Sequence, residues 1–412
     1  MRSLSLGVFL AFASALGAQT NLIGLGYDTV GVLPPALLQQ KTCNPGARIC
    51  PTVFVPALAV PWAGGAAYDP RGRTVWATDG AVMTEQLVPG CAFVCRSPAM
   101  LTLGPAAVAS GLEICPSLAQ MFQIETVPGA VALHIWNIAT CPIAPMFSCP
   151  IPLPTIAHVA GGVAIDDANG WIFYATSVFG GGGPANMILV AALNNPCQIV
   201  CRIPVQNCGG AVLGPIRALA FDECAQALII SDGLQTLTMR RAGVAPCAFA
   251  AVQCCPMSPG VATYGWVGFD IEPLHPVNVG ASCLGPNCAP CPNMRLDAAG
   301  DPAIGNGAFA LNLSGAPVGS VFALAVSGGP CVAPGLPIFC GQWHLQLATT
   351  VFLPMVPVAG LGPCQGAASA PLPIPKNYSL CGVNLCFQGV VICLSTMGPG
   401  FGLTNAVDAI LN

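Results

Sequence analysis

PGCAFVCRSP (residues 89–98) and NPCQIVCRIP (195–204) are near copies of one another in a chain of 412 residues. Each carries two cysteines, and the same arrangement recurs along the first two thirds of the sequence. The leading cysteines are Cys43, Cys91, Cys141, Cys197 and Cys247, at steps of 48, 50, 56 and 50 residues. Cys50, Cys95, Cys149, Cys201 and Cys254 follow them. Between these pairs lies a second recurring element: GGAAYDPRGRTVWATDG (64–80), GGVAIDDANGWIFYATS (161–177) and IRALAFDECAQALIISDG (216–233). A repeat of this length built from short β-type segments predicts a β-propeller.

The local chemistry supports strands. TVWATDG (74–80) and WIFYATS (171–177) are rich in β-branched and aromatic residues, which suit a pleated, half-buried surface. A turn precedes each, opened by Asp69, Asp166 or Asp222, whose carboxylate can accept from backbone amides two residues on. Asp79 and Asp232 stand where second strands end, beside Gly80 and Gly233. The cysteine pairs read as a second hairpin, each closed by its own bridge: Cys43–Cys50, Cys91–Cys95, Cys141–Cys149, Cys197–Cys201 and Cys247–Cys254. Cys331–Cys340 is expected to behave alike further on. Closing loops this short contributes about 2 kcal/mol per bridge in the chain-entropy model.

Two hairpins make one four-stranded blade. Inner hairpins are expected near Gly64, Leu118, Gly161, Ile216 and Val261, giving five blades, with six as the alternative if NLIGLGYDTVGVL (21–33) builds another. In the most degenerate copy, the second, Glu125 stands near the aspartate position. The last inner hairpin, 261–273, would be completed by the N-terminal cysteine hairpin, joining the ends of the ring.

Over residues 21–291 these motifs resemble β-propellers with NHL-type or regucalcin-like repeats: an apolar strand, Asp, a short turn, and a strand ending in Asp-Gly or Thr-Ser. The resemblance implies the fold. Members include sugar lactonases, lyases and pure binding proteins, and the lactonase-like ones hold a divalent ion across the channel. No matching Glu or Asn stands near Gly64, Gly161 or Ile216, so that activity is not carried over.

Composition shifts at CLGPNCAPCPNM (283–294), which reads as a disulfide-tied linker. Beyond it, FALNLSGAP (309–317), VFALAVSGG (321–329), WHLQLATTVFLP (343–354) and GVNLCFQGVVICLS (382–395) predict a C-terminal antiparallel β-sandwich over 295–412. GNGAFAL (305–311), IPKNYSLCGVNLCFQ (374–388) and LTNAV (403–407) resemble a C-terminal module recurrent in secreted bacterial proteins, to which no activity attaches. The propeller is assigned 19–282 and the class of the whole chain is all-β.

Residues 1–18 read as a signal peptide: Arg2, an apolar run from Leu4 to Leu16, then small residues. The run is too short to span a membrane. Twenty-three cysteines suit an oxidising compartment, and an odd count leaves at least one thiol outside intramolecular pairs. Charge is sparse, 12 Lys+Arg against 16 Asp+Glu, so like surfaces repel weakly and self-association is favoured. Arg240-Arg241 is the sole adjacent cationic pair, which argues against nucleic acid.

Motifs for chemistry are scarce. Cys288-Ala-Pro-Cys291 lacks the βαβ setting of a redox pair and has no second pair at zinc spacing. His134, His158, His275 and His344 are isolated in sequence, and no G-x-S-x-G occurs. Gly180–Gly183 is followed by Pro184, not by the Lys-Ser/Thr of a phosphate loop. No cofactor or metal is assigned. An insertion at 177–186 interrupts the third inner element, and insertions in repeats map to loops, often on a binding face. Phe179 and Asn186, with Asp79 and Asp232, therefore form the candidate binding set, suited to a glycan or surface protein. The function expected is an exported binding, adhesion or structural propeller of the envelope or matrix. The alternative is a propeller enzyme, a lactonase-like or polysaccharide-directed hydrolase or lyase with a channel metal, favoured if three or more acidic or amide side chains converge on the channel.

Overall fold

The computed structural model describes residues 21–28, 36–41, 47–51, 64–88, 90–155, 158–178, 186–205, 213–243, 245–256, 264–272, 274–395 and 398–412. Strands β1 (Asn21–Asp28), β2 (Ala36–Lys41) and β3 (Ala47–Pro51) start one sheet. Four-stranded antiparallel meanders follow: β4 (Gly65–Asp69), β5 (Thr74–Thr78), β6 (Val82–Leu87) and β7 (Phe93–Pro98); then β8 (Val108–Cys115), β9 (Gln120–Val127), β10 (Ala130–Asn137) and β11 (Ala144–Ile151). The next two comprise β12 (His158–Asp166), β13 (Trp171–Val178), β14 (Met187–Ala192) and β15 (Asn195–Pro204), and β16 (Ala218–Asp222), β17 (Ala227–Ser231), β18 (Gln235–Arg241) and β19 (Phe249–Pro256). Finally β20 (Tyr264–Glu272) pairs with β1 and completes the first sheet in the order β20-β1-β2-β3.

The first strands of these sheets touch in a closed cycle: β4 with β8, β8 with β12, β12 with β16, β16 with β20, and β20 with β4. That cycle is a propeller ring. Its closure differs from the expected two-plus-two hairpins. The segment 261–273 supplies the single strand β20, and Asn21–Asp28, the stretch that might have begun a sixth blade, supplies its neighbour.

Glycine explains how the strands come so close. A Cβ on Gly65 would lie 2.8 Å from Gly111 Cα, one on Gly111 2.9 Å from Gly162 Cα, and one on Gly268 2.5 Å from Gly65 Cα. Backbone therefore packs on backbone at the ring's centre, which only residues without a side chain allow. Each ring glycine stands four residues before its strand's terminal polar group: Gly65 before Asp69, Gly111 before Cys115, Gly162 before Asp166, Gly268 before Glu272. The second inner hairpin thus begins at Val108, not near Leu118, and Cys115-Pro116 replaces Asp69-Pro70. Glu125 lies on the following strand.

Between neighbouring sheets the cores are apolar. Phe173, Phe221 and Leu228 pack between the fourth and fifth sheets with Ile188 and Val190, and the Phe173 and Phe221 rings stack at 5.4 Å. Turn aspartates close the inner hairpins. Asp69 Oδ1 accepts from Arg71 N at 3.0 Å, Asp166 Oδ1 from Asn169 N at 3.0 Å and Asp222 Oδ1 from Ala225 N at 2.8 Å.

The cysteine pairing corrects the hairpin expectation. Cys95 bonds Cys141, Cys149 bonds Cys197, and Cys201 bonds Cys247, so each bridge joins one sheet to the next. In each repeat the turn comes earlier than the spacing suggested. β6 ends at Leu87 and β7 begins at Phe93, so Cys91 and Cys95 sit on the same arm. Cys91 lies in the turn ahead of β7 with φ 58°, and Cys95 on β7 faces the next sheet, where Cys141 meets it at 5.8 Å between Cα atoms. Cys91, Cys254 and Cys255 are also disulfide-bonded. Of the expected pair Cys43–Cys50, Cys43 lies outside the described residues. Among the described residues the free cysteine is Cys115, which is buried.

The C-terminal segment forms β21 (Val277–Val279), β22 (Cys283–Leu284), β23 (Arg295–Ala299), β24 (Ala310–Ala316), β25 (Val321–Gly328) and β26 (Leu336–Ile338). These are followed by β27 (Gly341–Trp343), β28 (Val351–Phe352), β29 (Val356–Pro357), β30 (Gly366–Pro371), β31 (Asn384–Ser395) and β32 (Gly398–Ile410). A large antiparallel sheet, β21-β32-β31-β25-β28 with β22 and β29 at its margins, packs on the small sheet β23-β24-β30. Leu296, Leu311 and Leu313 of the small sheet meet Phe322, Phe387, Val391 and Val407 of the large one, the core of a sandwich. β21 and β22, which lie on either side of the expected boundary at Cys283, both pair with β32.

WHLQLATTVFLP is not one strand. Thr349 N and Thr350 Oγ1 both donate to Gln346 O, which turns the chain between β27 and β28. Nor does Cys331 bond Cys340. Cys331 leaves the end of β25 beside β31, where Cys386 stands at 5.0 Å between Cα atoms. Cys340 folds back to Cys283 at 5.7 Å. Cys288–Cys393 and Cys291–Cys364 tie the remainder of the 283–294 stretch into the sandwich.

Candidate functional site

The two faces of the ring differ. The turns after the inner strands point to the face that the sandwich covers, and the loops after the second strands lie on the other.

On the uncovered face, the predicted residues serve the backbone. Asp79 Oδ1 accepts from Ala81 N and Val82 N, both at 2.9 Å. Asp232 Oδ1 accepts from Leu234 N and Gln235 N at 2.8 and 2.7 Å, while Oδ2 accepts from Gly214 N at 2.8 Å. Asn186 Nδ2 donates to Leu213 O and Gly214 O at 3.0 and 2.8 Å. Asn186 and Asp232 thus converge on one segment, Leu213-Gly214, whereas Asp79 stays in its own turn. Phe179 and Gly180–Gly183 lie outside the described residues.

On the covered face, the sandwich is fixed to the ring by charge and by a covalent bond. Cys224, in the turn after β16, bonds Cys381. Lys376 pairs with Asp167, and Tyr378 donates to Asp166, which also pairs with Arg241 at 2.6 Å. Asp301 is the other anchor. It accepts from Tyr68 Oη, pairs with Arg73 at 2.9 Å and meets His275 Nδ1 at 2.9 Å, while His275 Nε2 reaches Glu272 at 3.0 Å. Bonds to Asp301 and then Glu272 push His275 up to about 9.

Beneath this contact, at the floor of the ring, lies a cavity of about 170 Å³. Glu113, Glu223, Asp270 and Asp167 enter it from different inner strands and turns, and Ala303 and Ile304 of the sandwich roof it. Asp270 accepts from Tyr68 N at 2.8 Å and Ile271 N at 2.7 Å, and Glu223 accepts from Asp167 N at 2.8 Å. These carboxylates satisfy amides on the exposed edges of the inner strands and turns. Glu113 Oε2 has no partner. Burial raises Asp270 to about 6, and burial together with Asp166 and Asp167 raises Glu223 to about 8. Burial, then the charges of Asp270 and Glu223, holds Glu113 well above the carboxylate range. Cys115 borders the same group: its thiol donates to Asp167 Oδ1 at 3.3 Å, and burial pushes it up to about 12. Such a thiol is protonated and a poor nucleophile.

Acidic side chains therefore do converge at the channel, the feature on which the enzyme alternative was to be judged. Among the described residues, no group of three or more His, Cys, Asp or Glu is placed to hold a metal ion. A second repeat set at Leu118 leaves Glu113 off the inner strands and so hides the cavity. With the ring glycines aligned, Ala67, Glu113, Ala164, Ala220 and Asp270 fall at one position, and two acids among alanines are the visible signal.

A pH dependence follows. Glu113, Glu223, Asp270 and His275 all have folded pKa values above their ordinary ones, so the folded state binds more protons than the unfolded chain. The stability they contribute is full below about pH 4 for the carboxyls and about 6.5 for His275. It is lost as pH rises through about 6 for Asp270, 8 for Glu223 and 9 for His275. The melting temperature should fall between pH 6 and 9, and Glu223→Gln should flatten that slope. A profile that rises across this range would contradict the assignment.

No family model matches the chain, and no curated protein matches it either. Solved structures with some likeness include β-propellers, at low similarity. A nidogen/laminin complex gives 12% identity and TM-score 0.38, covering 61% of this chain and 84% of that one. The Cps50 (Swd1) β-propeller domain of Myceliophteria thermophila gives 9% and 0.33, covering 92% and 95%. The WD40 repeats of RRP9 give 10% and 0.33, covering 62% and 84%.

Proposed function

We propose that the protein is an exported, disulfide-stapled propeller that acts as a binding, adhesion or structural component of a cell envelope or extracellular matrix. The observation that carries this reading is the chain of bridges from sheet to sheet, continued into the sandwich by Cys224–Cys381. Bridges of this density fit an extracellular protein. Among the described residues, no helix is long and apolar enough to cross a membrane. The ring closes at five blades, and the face opposite the sandwich receives a glycan or surface protein at the 177–186 loop.

The enzyme reading finds support in the acidic floor. Against it, Asp270 and Glu223 are engaged by backbone amides, and the sandwich roofs the cavity.

The test is to produce the full chain with its N-terminal segment, fractionate the cells and co-sediment the exported protein with isolated envelope material. Export with no reactive thiol before denaturation, and co-sedimentation weakened by Phe179→Ala with deletion of Gly180–Gly183 at unchanged melting temperature, are expected. Retention inside the cell with titratable thiols would overturn the reading. Co-sedimentation untouched by both changes would remove the loop as the contact.

A further inference from the structure

His134, isolated in sequence, stands between two partners on the strands either side of it. Its Nε2 meets Glu125 Oε2 on β9 at 2.8 Å, and its Nδ1 meets Ser148 Oγ on β11 at 2.6 Å. His134 and Glu125 are fully buried, whereas Ser148 is exposed on the outer strand of its sheet. Glu125 is itself held, by Thr102 Oγ1 at 2.8 Å and Leu103 N at 2.7 Å.

We propose that Ser148 is the nucleophile of a hydrolytic site for carboxylic esters, with His134 as general base and Glu125 as the residue that positions it. The carboxylate holds the imidazole proton on Nε2, which leaves the Nδ1 lone pair facing the serine hydroxyl. As Oγ attacks the ester carbonyl carbon, its proton passes to Nδ1. The carbonyl C–O bond to the leaving alcohol then breaks, and that proton goes to the departing oxygen. Water attacks the acyl-serine by the same route, its proton passing through His134 back to Ser148, and releases the acid. Among the described residues β11 is an edge strand, paired with β10 alone, so its outward N–H groups can face a developing oxyanion. At rest the Ser148 hydroxyl donates to Met100 Sδ at 3.3 Å and turns to His134 Nδ1 on attack; the Met100 thioether, with Met146 largely exposed at the bulge in β11, gives an apolar rest for a small acyl group.

Glu125 also binds the loop at Thr102 and Leu103, but Gln123 holds the same loop by itself, donating to Met100 O at 2.7 Å and accepting from Met100 N at 3.2 Å, and neither of these tasks calls for His134. A buried His–Glu pair that ends on an exposed hydroxyl is the arrangement that nucleophile activation requires.

The oxidised full-length protein is treated with a fluorophosphonate probe and, separately, with p-nitrophenyl acetate. One adduct on the peptide containing Ser148 is expected, absent in Ser148→Ala. His134→Gln should slow labelling by about 100-fold or more. Glu125→Gln should lower kcat for the acetate and shift its pH profile, measured on protein whose melting curve shows it fully folded at the assay temperature; a smaller folded fraction would lower the rate without moving the profile. Ser148 is exposed, so its alanine variant keeps the fold and decides the matter if the buried variants do not. An unlabelled wild-type protein, or labelling and hydrolysis that persist in Ser148→Ala, would overturn the proposal.

Discussion

Gly161→Ala is expected to be among the most damaging single substitutions in the ring. Gly161 is the extra residue of a bulge in β12, and a Cβ there would lie 1.7 Å from Ile216 O and 2.7 Å from Ile216 C. Both partners are backbone, so no side chain can swing aside. Overpacking a core ordinarily costs about 1–3 kcal/mol; a clash between two fixed inner strands should exceed that range. A loss above about 3 kcal/mol corresponds to a drop of roughly 6–12 °C in a domain of this size. Gly111→Ala, facing Gly162 Cα at 2.9 Å, should behave similarly. Gly72→Ala is the control: it sits in a turn with its nearest atoms at 3.5 and 3.6 Å, ordinary contact distances. Melting curves of the three variants separate close approach from a general intolerance of alanine. Equal melting temperatures for Gly161→Ala and Gly72→Ala would show that the inner strands are not locked.

The same glycines show what could be read in the sequence and what could not. The repeats at Gly64, Gly161 and Ile216 were legible because strand, aspartate and turn appear together in each. The second was not, since GLEICP (111–116) replaces the marker aspartate with Cys115. The next acid in the sequence, Glu125, sits one strand later and draws the alignment away from Glu113 and the acidic floor. His134 was invisible for a different reason. Its partners lie 9 and 14 residues away, and they meet it only because three strands pair in register. Likewise Asp301, Lys376 and Tyr378 carry no local pattern. They matter because the sandwich docks on turns more than two hundred residues earlier.

Reduction of the disulfides should produce the other large effect, and the corrected pairing sets its size. A bridge within a hairpin closes a loop of a few residues, whereas Cys95–Cys141, Cys149–Cys197 and Cys201–Cys247 span 46, 48 and 46 residues. In the chain-entropy model a loop of that length contributes about 4 kcal/mol, roughly twice the hairpin value. Cys224–Cys381, spanning 157 residues, contributes about 5 kcal/mol on the same basis. The pairing rule also extends to the ends of the ring. In the bridges observed, the second cysteine of one repeat joins the first of the next, and the two within a repeat stand four or eight residues apart. Register sets the face: Cys149 and Cys201 stand opposite Leu133 and Val190, which pack toward the next sheet, whereas Cys254 stands opposite Leu237, which packs toward the preceding one, and Cys255 opposite Thr236 on the other side. Cys255, eight residues after Cys247 as Cys149 is after Cys141, thus faces as Cys149 and Cys201 do; Cys254 does not. Cys50–Cys91 and Cys255–Cys43 are therefore expected to complete a belt around the propeller, with Cys254 left to bond Cys208. Peptide mapping without reductant checks the links. The double variant Cys149→Ser with Cys197→Ser should lose about 4 kcal/mol rather than 2. If it loses no more than a hairpin bridge would, or if Cys91 is found joined to Cys95, the belt is not what holds the ring closed.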